Sequence, residues 1–196
     1  SLNFHIMDLI QLHEIDLVLD VGGNRGQFAK SLRNDGYSGD IHSFEPVKAT
    51  FEEIQQASQA DKKWTVHNFA MGEQQGQSTV NVTKSSDFAS FLKPSDYGKE
   101  RFKKNKVEYT EEVDINTVDN FLKSDIPNFE SKRIFLKTDT QGFDLQVVKG
   151  AGKSIPFIHC LLSEISFIPI YDDMPHYIET LEAFESIGFS VSGFYP

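Results

Sequence analysis

The sequence predicts a doubly wound α/β domain built on a mostly parallel sheet. Three observations carry that prediction. Short apolar runs of strand length alternate along the chain with segments of helical periodicity. Several of those runs, among them Ile134-Phe135-Leu136 and residues 158–162, are apolar on both faces, as parallel strands covered by helices require. The first run, residues 17–21, ends in the glycine-rich turn Gly22-Gly23-Asn24-Arg25-Gly26. That turn opens onto a helical pattern containing Phe28 and Leu32, and glycine allows the tight backbone reversal it needs.

Taken in order, strands are expected at 17–21, 40–45, 64–69, 133–138, 157–164 and 189–194. Helices are expected at 26–34, 48–58, 117–123, 143–149 and 175–186, each returning the chain by a right-handed crossover. The last helix carries Ile178, Leu181 and Phe184 on one face and stops at Gly188. Asp119, set among Val118, Phe121 and Leu122, is expected to point to solvent. One stretch breaks the alternation. Residues 76–115 hold two β-like pieces, 77–83 and 107–115, around a polar stretch with Ser85-Ser86-Asp87 and the aromatic island 88–91. This insertion leaves the end of the third strand, where it either walls the crevice at the strand ends or forms a surface hairpin away from any chemistry. The whole chain, 1–196, reads as a single domain with that insertion.

At 196 residues, with 39% hydrophobic content and 17 Phe, the chain is long enough to bury a proper core. A net charge of −10 excludes the broad basic face that nucleic acid would need. The basic run 99–106 reads as a solvated face. The single cysteine, Cys160, lies in an apolar run and reads as a small core residue, so no internal disulfide is expected. No apolar stretch reaches the ~20 residues of a membrane span, and no leader peptide is visible. The expectation is a cytoplasmic protein without nucleic-acid or membrane partners.

The turn after the first strand is where an anionic or nucleotide ligand would be met, because backbone approaches closely and helix N–H groups are unpaired. About 20 residues on, the second strand ends in Phe44-Glu45-Pro46, and a carboxylate there can accept hydrogen bonds from both hydroxyls of a ribose. Asp20 stands two residues before the first glycine. It would repel a pyrophosphate but attract the amino group and sulfonium of S-adenosylmethionine, so the pattern favours that cofactor over a dinucleotide. The expected cofactor contacts are Asp20, Gly22, Gly23, Asn24, Gly26, Glu45 and Pro46, joined by Phe69 and Ala70 at the end of the third strand, with His67 near the adenine. An NAD(P)-dependent oxidoreductase using the same crevice is the alternative. His42 and His159 lie within strands and are expected to make core hydrogen bonds.

The stretch Leu136-Lys137-Thr138-Asp139-Thr140-Gln141-Gly142-Phe143-Asp144, followed by Val148-Lys149-Gly150-Ala151, resembles the FkbM family of S-adenosylmethionine-dependent methyltransferases. That family's signature runs K-x-D-x-E-G-x-E, with L-K-G-A after it. Asp20 to Gly26, Phe44-Glu45-Pro46, Ala70-Met71-Gly72 and Ser163-Glu164 follow the family's order, over roughly residues 15 to 195. Two positions depart from it: Gln141 stands where the family has Glu, and Asp144 replaces the second Glu. The resemblance implies a class I, Rossmann-like methyltransferase fold and O-methylation of a sugar or other small-molecule hydroxyl. That fold adds an antiparallel seventh strand, for which the chain up to Pro196 offers no candidate, so the last strand is expected to be missing or altered.

In that fold the first and fourth strands lie side by side at the crevice. Asp139 is expected there, either serving the acceptor hydroxyl or the cofactor's amino group, or capping the following helix. Lys137, on a buried strand, needs a partner, and Glu164 at the end of the next strand is the expected one; a structural ion pair and a catalytic role are both open. His176 follows Tyr171-Asp172-Asp173-Met174-Pro175 and is a candidate general base or a helix-start residue. Asp172 and Asp173 could join Asp139 around a hard cation, but nothing in their spacing demands it, and no metal is assigned. A non-catalytic cofactor-binding fragment is the third reading.

Overall fold

Apolar runs and helical stripes alternate in space as they do in sequence. A computed structural model describes residues 1–83, 89–101 and 107–195. Its strands are β1 (Leu17–Val21), β2 (Asp40–Phe44), β3 (Trp64–His67), β4 (Ala70–Met71), β5 (Gly76–Thr83), β6 (Val107–Asn116), β7 (Ile134–Thr138) and β8 (Ile158–Ser163). Its helices are α1 (Leu2–Leu12), α2 (Gln27–Asn34), α3 (Lys48–Ser58), α4 (Asp96–Arg101), α5 (Val118–Asp125), α6 (Asp144–Lys149) and α7 (Tyr177–Ser186).

The central sheet has the order β3-β2-β1-β7-β8, and every pairing in it is parallel. Its middle strands are buried on both faces. Every residue of β1 and β7 is buried, and their side chains alternate between two cores. Val18 and Phe135 face one layer, with Ile6 and Ile10 of α1, Ala29 and Leu32 of α2, and Ile54 of α3. Leu17, Leu19 and Leu136 face the other, with Phe121 and Leu122 of α5, Val147 and Val148 of α6, and Phe184 of α7. Each such leucine, isoleucine, valine or phenylalanine contributes about 1.5–3 kcal/mol on leaving water. Helices thus cover both faces of the parallel sheet, the doubly wound arrangement the sequence predicts.

The predicted elements recur with ends shifted by one or two residues. Helix α1 was not foreseen; its signal is the pair Ile6 and Ile10, four residues apart and both buried. Residues 189–194 are not a strand and pair with none, although β8 ends the sheet. The segment instead turns towards α1, where Tyr195 Oη lies 2.6 Å from His5 Nδ1 and a Cβ on Gly193 would sit 2.9 Å from the His5 ring. Asp119 does not point to solvent. Its carboxylate accepts from the backbone N–H groups of Lys153 and Ser154 and from the Ser154 hydroxyl, closing the turn after α6.

The insertion builds a second sheet in the order β4-β6-β5, with β5 and β6 an antiparallel hairpin and β4 parallel to β6. Ser85-Ser86-Asp87 and Phe88 lie outside the described residues, as do 102–106 of the basic run; residues 99–101 close α4. Among the described residues no helix is long and apolar enough to cross a membrane. Cys160 is buried, which pushes its thiol up to about 11 and leaves it protonated.

Candidate active site

The strand order reverses between β1 and β7. The chain leaves β1 towards β2 and leaves β7 towards β8, so a crevice opens at the C-terminal ends of these strands. At its floor Gly22 has a φ of +78°, and a Cβ there would lie 2.0 Å from the carbonyl oxygen of Asp139. Only glycine lets the ends of β1 and β7 approach so closely. The N–H groups of Gly22 and Gly23 donate to the Phe44 carbonyl, which ties the turn to β2. A cavity of about 1430 Å³ covers these strand ends and continues along β8 beneath the segment 189–195.

On the β2 side the cavity is lined by Gly22, Gly23, Asn24, Glu45, Pro46 and Ala70. Glu45 is buried, with Oε2 accepting from Asn24 N–H and Oε1 from Val47 N–H, both at 3.0 Å. Burial outweighs these bonds and raises its carboxyl to about 7. Each carboxylate oxygen has a second lone pair for a further donor.

On the β7 side Lys137 is nearly enclosed. Its Nζ lies 3.0 Å from Asp20 Oδ1 and 3.8 Å from Asp139 Oδ2, and it donates to the Gly22 carbonyl. Burial disfavours its charge, but Asp20 and Asp139 outweigh that and hold it above the ordinary lysine range. Its ion-pair partner is therefore Asp20, and the expected pairing with Glu164 is corrected. Asp139 lines the cavity; burial works against its charge, but Lys137 keeps its carboxyl below the usual range. Glu164, just past β8, also lines the cavity, and there desolvation and the neighbouring Asp139 push its carboxyl upward. Gln141 joins the two acids. Its Nε2 donates to Asp139 Oδ1 at 3.0 Å and to Glu164 Oε2 at 2.7 Å, while its Oε1 accepts from the Tyr171 hydroxyl. The insertion closes this wall, with Val80, Ala89, Ser90 and Phe91 lining the cavity and Ser90 Oγ donating to the Gln141 carbonyl. Of the two placements open for the insertion, this is the crevice wall.

Five of the expected site residues, Asp20, Gly26, His67, Phe69 and His176, do not line the cavity. Asp20 is fully buried behind the turn, occupied by Lys137 and by the Ser43 hydroxyl, because a buried acid takes the nearest cation. Gly26 has a φ of +80° and is needed for packing, since a Cβ there would strike the Trp64 ring at 2.6 Å. Phe69 joins an aromatic cluster with Phe44, His67 and Phe121. His67 sits in that cluster too, bonded to His42, and burial lowers it to about 4. His176 caps α7, accepting from Ile178 N–H. His159 is bonded to the Phe157 carbonyl. Asp144 is buried at the start of α6, its Oδ1 accepting from the Thr140 N–H, and burial raises it to about 6. Among the described residues no three His, Cys, Asp or Glu side chains gather as metal ligands, and Asp172 and Asp173 are exposed.

Sequence reading missed two contributors. Glu164 was read only as a partner for Lys137, and Gln141 only as a departure from the family signature. Their signal was the shared apolar strand pattern, which ends β7 and β8 side by side.

A parallel α/β sheet with its order reversed at a glycine turn, and with acids on both walls of the crevice, defines a Rossmann-like fold with a site at its strand ends. The Methyltransferase FkbM domain matches residues 20–191, so the chain belongs to the FkbM methyltransferase family, which supports a methyltransferase. Comparison with curated proteins and comparison with solved structures each give no match.

Proposed function

We propose that this methyltransferase uses S-adenosylmethionine to methylate a hydroxyl of a small molecule or sugar. Glu45 carries the reading. A buried carboxylate at the end of β2 accepts two backbone N–H bonds and still faces a cavity with lone pairs to spare. Two vicinal ribose hydroxyls are the donors that fit it. The glycine floor at Gly22 and Gly23, with Asn24, Pro46 and Ala70, makes the rest of the cofactor half. S-adenosylmethionine, when bound, supplies an activated methyl group.

On the other wall, Asp139 and Glu164 supply carboxylates for an acceptor hydroxyl, with Lys137 holding Asp139 in its ionised form. The acid-lined wall and the acidic chain as a whole fit a neutral polyol better than a nucleic acid. One domain spanning 1–196, with its insertion over the crevice, and a cytoplasmic location with a reduced Cys160 complete the reading. Isothermal titration calorimetry with S-adenosylhomocysteine tests the cofactor: micromolar binding is expected, and no binding by folded protein overturns it. Incubation with S-adenosylmethionine and a metabolite or glycan extract, followed by mass spectrometry, should show a product heavier by one methyl group.

A further inference from the structure

Gln141 is one of the two departures from the family signature, and it holds both acids beside it. Its backbone is left-handed, with a φ of +54°, which costs energy for a side-chain-bearing residue. The bond from Ser90 Oγ at 2.7 Å holds it there. The Tyr171 hydroxyl donates to Oε1 at 3.0 Å, and Nε2 faces the acids, since an ionised carboxylate can only accept. An amide nitrogen carries two N–H bonds, and here one goes to Glu164 and one to Asp139. Two carboxylates held on one neutral donor repel each other and favour a single proton between them. The charged and titratable groups facing the pair are Lys137, Asp144 and Tyr171. Lys137 lies beside Asp139 and keeps it ionised, so the proton falls to Glu164. Gln141 engages both acids and Lys137 pairs with Asp139, while Glu164 is the more exposed of the two on the cavity wall.

We propose that Glu164 is the group that takes the proton from the acceptor hydroxyl, with Gln141 as the residue that positions it; this rests on the methyl-transfer reading above. In the transfer the acceptor oxygen forms its bond to the methyl carbon. The carbon–sulfur bond of a sulfonium donor breaks with its electron pair going to sulfur, and the O–H proton passes to the Glu164 carboxylate. Only ionised Glu164 can receive it. The rate therefore climbs with pH through an alkaline limb and levels above it.

The test combines a proton readout with a kinetic one. Carbon-13 NMR of protein labelled at its Asp and Glu carboxyls should show one Glu titrating near 8. That signal should be absent from Glu164→Gln. In Gln141→Glu a third acid joins the pair, so the Glu164 titration should move higher and the rate limb with it, a shift that a merely structural Gln141 would not cause. Glu164→Gln should bind S-adenosylhomocysteine within about twofold of wild type. On the acceptor found in the extract screen it should lose about 10²–10⁴-fold in kcat. The proposal is overturned if no Glu titrates above the ordinary range, if the signal persists in Glu164→Gln, or if that variant turns over normally. If wild type fails to bind S-adenosylhomocysteine, the methyl-transfer reading fails instead, and the proton titration still decides where the proton sits.

Discussion

The two walls of the crevice each present an acid raised above its ordinary range, and they hold it in different ways. Glu45 is held by the backbone: its oxygens accept from the N–H groups of Val47, two residues on, and of Asn24, in the glycine turn next door. Glu164 is held by a relay of side chains. Gln141 reaches it across 23 positions, Tyr171 fixes Gln141 across 30, and Ser90 anchors the same residue across 51. Backbone donors at strand ends come with the fold and survive most substitutions nearby. A side-chain relay is set by residue identity at each step, so it is where a family member can change its chemistry without changing its fold. Gln141 in place of Glu is such a change.

The comparison can be broken where the walls meet. Lys137 bridges them, with Asp20 behind one and Asp139 on the other. Lys137→Met strands the buried Asp20 charge and should cost about 3–5 kcal/mol in urea unfolding. Asp20→Asn in the same chain should recover part of that loss. Gly22→Ala drives a methyl group into the Asp139 carbonyl at a left-handed φ, and should cost about 2–4 kcal/mol by the same measurement while prising β1 from β7.

Substitutions on one wall sharpen the contrast. Glu45→Ala removes two charge-assisted bonds to the ribose and should weaken S-adenosylmethionine binding at least about tenfold, equivalent to about 1.4 kcal/mol. Glu45→Gln should lose less, because the amide keeps one acceptor. Should Glu45→Ala bind as tightly as wild type in calorimetry, the ribose lies elsewhere. Asp139→Asn should leave cofactor affinity within about twofold and lower turnover, since Asp139 belongs to the other wall.

The gentlest effect is a slope in pH. Glu45 is raised from 4.5 to about 7 and Asp144 from 3.8 to about 6. Each therefore binds more protons folded than unfolded between those values. The stability they add is fully present below their unfolded values and is lost as pH rises through the folded ones. Denaturant midpoints at low ionic strength should fall from about pH 4 to 7, and Asp144→Asn should flatten the lower part of that slope.

How much of this was legible follows the same division. The glycine turn and Glu45 were read from a dozen residues, because a strand, its turn and the next strand end form a local pattern. Asp139 was read from its motif. Glu164 and Gln141 were not assigned their roles, since nothing near either residue in the chain announces the other. Asp20 and Gly26 were legible as special positions but misassigned: each is required, one by a buried lysine and the other by a tryptophan ring, and neither lines the cavity. His176 has the composition of a base and the place of a helix cap. The strand expected at 189–194 failed because the segment packs against His5 of α1 and does not pair with β8, a choice no local pattern records.

By itself, then, the sequence determined the periodicities, and through them the parallel sheet, its two covering layers and the crevice at its C-terminal edge. Those follow from apolar spacing and from where glycine permits a turn, both properties of short segments. Only the tertiary structure decided which acids face the cavity, which cation neutralises which acid, and which of two neighbouring carboxyls keeps a proton. Charge and desolvation depend on distances of a few ångströms between residues far apart in the chain, and those distances exist only once the chain has folded.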